Sequence, residues 1–255
     1  MERWSGRIVM VTGACSSLGE TLCKELALAG LTVVGLARRR HQVRDLALEL
    51  ESQNCPGKLI PLKGDVTKEE DIMTCFDWVN KNFGGVDVLI NNAGVTVKAP
   101  LSEAASEDWR RIFDVNVIAL SSCTREALKS MKNRGVDDGH IIHINSFLFV
   151  CCSIAGHRLS ILQGNEMYSA SKHAVTILAE GLRRELASRK SQIKVTSISP
   201  GFVQTEIFEA GGWDDLTKIA PHLQAKDIAD AVKYVLSTPA NVQVTELIIQ
   251  PVGGF

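Results

Sequence analysis

The chain has 255 residues, 45% of them hydrophobic and 22% charged, which is ordinary globular usage and excludes a disordered or fibrous chain. A formal net charge of −1 gives no reason to expect nucleic acid or an anionic membrane as the main partner. Seven cysteines, an odd count without metal-ligand spacing, and a polar opening Met1–Arg7 lead us to expect no disulfide framework, no metal, no cleavable signal and a cytoplasmic location. The longest apolar stretch, around Ile141 to Ile154, is broken by His143, Asn145 and Ser146, so no membrane span is expected.

Short β-branched runs alternate with longer amphipathic stretches. Taken in chain order, strands are predicted at Ile8–Thr12, Thr32–Ala37, Lys58–Lys63, Val86–Ile90, His140–Asn145, Lys194–Ser199 and Glu246–Gln250. Helices are predicted at Leu18–Ala29, Gln42–Ser52, Lys68–Phe83, Ser106–Met131, Met167–Ser188 and Ala225–Leu236. Strands apolar on both faces, most followed by a helix, predict an α/β fold with a doubly wound, parallel, seven-stranded sheet of Rossmann type. No linker or repeat divides the chain, so 1–255 reads as one domain. Gln204–Leu223, with Gly211-Gly212-Trp213, breaks the pattern and reads as a substrate-binding lobe over the cleft.

Three local patterns carry chemistry. Thr12-Gly13-Ala14-Cys15-Ser16-Ser17-Leu18-Gly19 follows the first strand and opens the first helix. Small residues there let backbone approach a pyrophosphate, and the helix N-terminus supplies donors and a favourable dipole. At the end of the second strand stand Arg38 and Arg39, where a site for NAD would present an acid to the ribose 2′-hydroxyl. An arginine fork suits a 2′-phosphate instead, which favours NADP(H). Tyr168 and Lys172, four residues apart, share a helical face; an ammonium beside the phenol is expected to lower its proton affinity and tune it as an acid.

In this order and spacing the chain resembles the short-chain dehydrogenase/reductase family over essentially its full length. The carrying motifs are Thr12-Gly13 to Gly19, Asp65-Val66, Asn91-Asn92-Ala93-Gly94, Asn116, Tyr168 to Lys172, and Pro200-Gly201-Phe202-Val203-Gln204-Thr205. Segments such as Met1–Trp4 and Ser153–Arg158 are similar to a narrower branch of insect farnesol dehydrogenases and vertebrate ketosteroid reductases. The resemblance implies a coenzyme site in which Gly13, Cys15, Ser17 and Leu18 face the phosphates. Asp65 and Val66 would hold the adenine, and Asn92, Ala93 and Gly94 would line its ribose. Pro200, Gly201, Val203 and Thr205 would lie at the nicotinamide end, the last two fixing its carboxamide. Lys172 would bond the nicotinamide ribose, Asn116 would hold a water relaying protons through Lys172, and Tyr168 would exchange a proton with the substrate oxygen. A serine hydroxyl would polarise that oxygen. A small apolar alcohol or carbonyl substrate and a homodimer or homotetramer are implied as well.

The chain departs from the family pattern twice. Ser17 stands where the family carries glycine; a positive φ there would cost about 1 kcal/mol or slightly more, and the side chain would crowd the pyrophosphate. The catalytic serine is ambiguous, because Phe147–Ser153 reads as a seven-residue apolar insertion duplicating it. Ser146 keeps its place at the strand end, or Ser153 keeps its spacing to Tyr168, or the strand slips and the inserted residues enter the sheet. Ser153 is favoured for its turn, Ser146 being the alternative. These departures leave a second function open, a catalytically silent relative that binds coenzyme or an apolar ligand.

Overall fold

The computed structural model describes residues 1–146, 164–213 and 221–253. Its strands are β1 (Ile8–Thr12), β2 (Thr32–Ala37), β3 (Lys58–Lys63), β4 (Val88–Asn91), β5 (His140–Ile144), β6 (Lys194–Pro200) and β7 (Glu246–Ile249). The helices are α1 (Ser17–Leu28), α2 (Arg40–Ser52), α3 (Glu69–Phe83), α4 (Ser106–Phe113), α5 (Leu120–Asn133), α6 (Glu166–Ser188), a short α7 (Ile207–Ala210) and α8 (Ala225–Ser237). All seven strands form one sheet, paired in parallel in the order β3-β2-β1-β4-β5-β6-β7. The order reverses between β1 and β4, and a crevice opens at their carboxyl ends, where such sheets bind ligands.

Side-chain alternation builds two cores. Val9, Val11 and Val33 point to one face, under Leu22 and Leu26 of α1 and Ile228 and Val232 of α8. Ile8, Met10 and Val34 point to the other, under Phe76 of α3, Met131 of α5 and Leu186 of α6. Each fully buried Leu, Ile or Phe contributes about 1.5–3 kcal/mol. The sheet is therefore apolar on both sides, as its sequence runs require. Pro61 sits in β3, at the sheet edge, where a missing N–H costs no ladder bond.

The predicted helix Ser106–Met131 contains an interruption. Asp114–Ala119 forms a π turn between α4 and α5, and Asn116 lies inside it. Such turns widen the helix and recur at functional sites.

Two histidines are buried in β5. His140 Nε2 lies 2.8 Å from the Thr196 hydroxyl, and His143 Nδ1 lies 3.1 Å from Asn91 Nδ2. Burial, aided by the charges of Lys194 and Arg3 around His140 and of Arg183 and Lys172 around His143, pushes both down to about 3. Both are neutral in the fold, while the unfolded chain takes up their protons below about 6.5. The unfolded state thus binds more protons between about 3 and 6.5, and stability is lost as pH is lowered through that window. Each histidine adds about 1.4 kcal/mol per pH unit to the slope. Melting followed by circular dichroism should show Tm dropping from pH 6 to 4.5. His143→Gln, which keeps a partner for Asn91, should flatten that slope, and an unchanged slope would count against the assignment.

Candidate active site

The loop after β1 is shaped by glycines at two positions where nothing larger fits. Gly13 turns the chain with φ of +68°, and a Cβ there would meet Ala93 Cα at 2.9 Å. A Cβ on Gly19 would run into the Gly13 carbonyl, so this residue allows α1 to pack against the turn. The Thr12 hydroxyl accepts the N–H groups of Asn92 and Ala93 at 3.1 and 3.0 Å, and Asn92 Nδ2 donates to the Thr12 carbonyl at 2.9 Å. These bonds lock the β1 loop to the β4 loop and hold open the mouth between them.

Ser17 does not have a positive φ; it is the first residue of α1. The expected backbone cost therefore does not arise, because the left-handed residue of this loop is Gly13.

The cleft above the switch point encloses about 510 Å³. On its phosphate side it is lined by Gly13, Cys15, Ser17 and Leu18, with Arg38 and Arg39 at the end of β2. Asp65, Val66, Asn92, Ala93 and Gly94 line its middle. Tyr168, Lys172, Pro200, Gly201, Val203 and Thr205 line the far end. Arg39 Nη2 donates to the Cys15 carbonyl at 3.2 Å, folding one guanidinium over the loop. Burial alone would raise the Asp65 carboxyl, but hydrogen bonds from Thr67 and the charges of Arg38 and Lys68 outweigh it, and the group is held low. A dinucleotide fits this chemistry: a helix N-terminus behind a glycine turn, cations and no acid at the end of β2, and an acceptor in the middle.

Arg111 and Val115 also line the cleft, as do Thr96, Glu206 and Ile207. Glu206 and Ile207 belong to the expected lobe, but sequence reading missed Thr96, Arg111 and Val115 because they belong to no motif. The one available signal was the four-residue spacing of Arg111 and Val115, which puts both on one helical face.

At the far end the side chains converge. Lys172 Nζ lies 5.7 Å from the centre of the Tyr168 ring and donates to the Ile144 carbonyl at 3.0 Å. The Ser146 side chain is hydrogen-bonded to the Tyr168 phenol. Ser153, the favoured serine, lies outside the described residues. The third accommodation, a slipped strand, is excluded, because Ile141–Ile144 stay in the sheet, paired with Val195–Ile198 of β6.

One expectation needs correction. The phenol is not tuned downward by its neighbour. Tyr168 is only 5% exposed, and burial pushes it up to about 12 against the weaker opposing effect of the Ser146 bond. The same burial lowers Lys172 to about 8. Desolvation wins because both side chains are buried where they leave α6, with little water to support charge. The Asn116 side chain is engaged in hydrogen bonds to its neighbours. Its Oδ1 accepts the Val95 N–H at 2.9 Å, and its Nδ2 donates to the Val95 carbonyl at 2.9 Å and to Ser171 Oγ at 3.0 Å. Ser171 Oγ in turn donates to the Tyr168 carbonyl at 2.7 Å, so this amide ties the β4 loop to the turn of α6 that carries the tyrosine.

A family model described as short chain dehydrogenase matches residues 7–213. Dehydrogenase/reductase SDR family member 11 of Homo sapiens is 44% identical over 257 residues, covering 98% of this chain and 96% of that protein. Farnesol dehydrogenase of Aedes aegypti is 46% identical over 254 residues, covering 99% of each. Among solved structures, the closed form of a serine dehydrogenase complexed with NADP+ superposes with a TM-score of 0.82 at 28% identity, over 97% of this chain and 96% of that one. The chain belongs to the short-chain dehydrogenase/reductase family of oxidoreductases.

Proposed function

We propose that this chain is an NADP(H)-dependent oxidoreductase interconverting a small apolar alcohol and its carbonyl compound, a terpenoid alcohol such as farnesol or a steroid-like ketone. The observation that carries this is the meeting of Ser146, Tyr168 and Lys172 at one end of a cleft whose other end presents Arg38 and Arg39. The complex of the serine dehydrogenase with NADP+ and the name of the mosquito relative support the coenzyme and the substrate class. The coenzyme would supply hydride chemistry between its nicotinamide and the substrate carbon. The chain's own residues do the rest. Arg38 and Arg39 hold the 2′-phosphate by charge and fork geometry, and the first turn of α1 receives the pyrophosphate. Tyr168, neutral at pH 7, donates its proton to the substrate oxygen in reduction. Ser146 bonds the same oxygen as charge develops on it. Lys172, anchored on the Ile144 carbonyl, holds a positive charge beneath both. Asn116 acts as a brace through its amide, and the π turn around it frees backbone for a water.

Among the described residues of the 204–223 segment, Thr205, Glu206, Ile207 and Ala210 line the cleft, which supports a substrate-binding role for that lobe. A homodimer built on the helical face is supported by Ile177 and Ile118, which are 73% and 57% exposed. On α6, Leu186 is buried in the core while Leu178, about two turns earlier, is exposed. A cytoplasmic location is part of the same reading.

Coenzyme turnover followed by absorbance, with NADPH and carbonyl compounds or NADP+ and alcohols from terpenoid, steroid and aliphatic series, tests the proposal. Turnover with NADP(H) exceeding that with NAD(H) is expected. Tight coenzyme binding with no turnover anywhere would favour the silent relative instead. The helical conformation of Ser17 removes the backbone cost from the reasons for that alternative and leaves the side chain to be tested.

A further inference from the structure

Ser16 and Ser17 stand side by side at the start of α1, yet their hydroxyls are in opposite states. Ser16 Oγ is saturated: it donates to the Gly13 carbonyl at 2.9 Å and accepts the Gly19 N–H at 3.1 Å. Ser17 Oγ is shielded from solvent and has no hydrogen-bond partner, although the residue lines the cleft. A hydroxyl withdrawn from water without a partner is costly, and native folds rarely leave one so. Its neighbours within the chain do not claim it; the Thr21 hydroxyl bonds the Ser17 carbonyl, not its side chain.

We propose that the Ser17 hydroxyl is a donor to the pyrophosphate of the coenzyme, a contact that the glycine usual at this position cannot make. The inference rests on the dinucleotide reading above and deepens it. Two features converge on an anion beside the unpartnered hydroxyl. The first N–H groups of α1 have no carbonyl to bond within the helix, and its dipole favours negative charge at this end. The hydroxyl hydrogen can turn about its C–O bond to meet an acceptor. The residue that departs from the family pattern is thus a replacement contact, not an obstruction.

The two views of Ser17 predict opposite signs. If the side chain crowds the phosphates, Ser17→Gly binds coenzyme more tightly. If the hydroxyl donates to them, Ser17→Gly and Ser17→Ala both bind more weakly, by about tenfold or more for one lost bond to a charged group. Titration calorimetry should be run on the full chain with NADP+ and, separately, with adenosine 2′-monophosphate, which carries no pyrophosphate. The expected result is a weaker Kd for NADP+ in both variants, an unchanged Kd for adenosine 2′-monophosphate, and a free-protein Tm equal to or above that of the parent. The last follows because the variants delete an unpartnered buried hydroxyl. NADP+ binding as tight as or tighter than the parent's overturns the proposal. So does an equal loss for both ligands, which would mean general damage to the loop. A parent chain that binds neither NADP+ nor NADPH would instead overturn the coenzyme reading itself, and this inference with it.

Discussion

Tyr168→Phe should lower turnover by roughly 10²–10⁴-fold while leaving coenzyme bound, the range typical of a positioned acid–base group. The substitution removes one oxygen and keeps the buried ring that α6 carries, so the fold should survive. The free chain predicts a direction as well as a size. With the phenol pushed up to about 12, it is a proton donor throughout the neutral range. Reduction of a carbonyl needs that form and should run well at pH 6–7. Oxidation of an alcohol needs the phenolate, which is scarce there, so its rate should climb with pH. Lys172, lowered to about 8, is charged below that point and loses its proton above it. Reduction should therefore weaken as pH passes through about 8, when the cation beneath the developing charge disappears. Initial rates in both directions from pH 6 to 10 check this. A reductive rate that rises through pH 8, or a Tyr168→Phe variant that keeps both profiles, would sink the assignment.

What the sequence made legible follows from local rules. Strand runs such as Val9–Val11 and Val33–Val34 must be buried on both faces, and that alone points to a parallel sheet under helices. The cleft was legible because its parts are short motifs at the ends of strands, and the sheet gathers strand ends in one place. Three features were not. The direction of the Tyr168 shift depends on burial, and four-residue spacing reveals a neighbour but not the absence of water. The π turn at Asp114–Ala119 is invisible to a helical period, since Val115 and Ala119 remain apolar in either winding. The state of the Ser17 hydroxyl depends on its neighbour Ser16 taking both nearby partners, a competition that no motif encodes.

Ser146→Ala should cost about 10²–10³-fold in kcat, the loss expected for one donor to a developing oxyanion, whereas Ser153→Ala should stay within a few-fold of the parent. The argument lies in how the end of β5 is fastened. The Ile144 carbonyl holds Lys172 at 3.0 Å, and the Asn145 N–H donates to the Ile198 carbonyl at 2.7 Å. Asn145 Nδ2 reaches Thr176 of α6 at 2.9 Å. Three successive attachments to β6 and α6 leave the next residue little freedom, and its side chain meets the phenol. Inserting residues after that point lengthens the connection to α6 without moving Ser146. Loop closure grows only slowly in cost with length, by about 0.6 kcal/mol per doubling, so an insertion there is tolerable where one inside the strand would exchange its faces. Spacing to Tyr168 along the chain favours Ser153, whereas the fastened strand end favours Ser146, because sequence distance alone does not set position. Steady-state kinetics on the two single variants and the double variant decide it. If Ser153→Ala carries the loss and Ser146→Ala does not, the polarising hydroxyl comes from the inserted segment, and the Ser146–Tyr168 bond belongs to the resting protein alone.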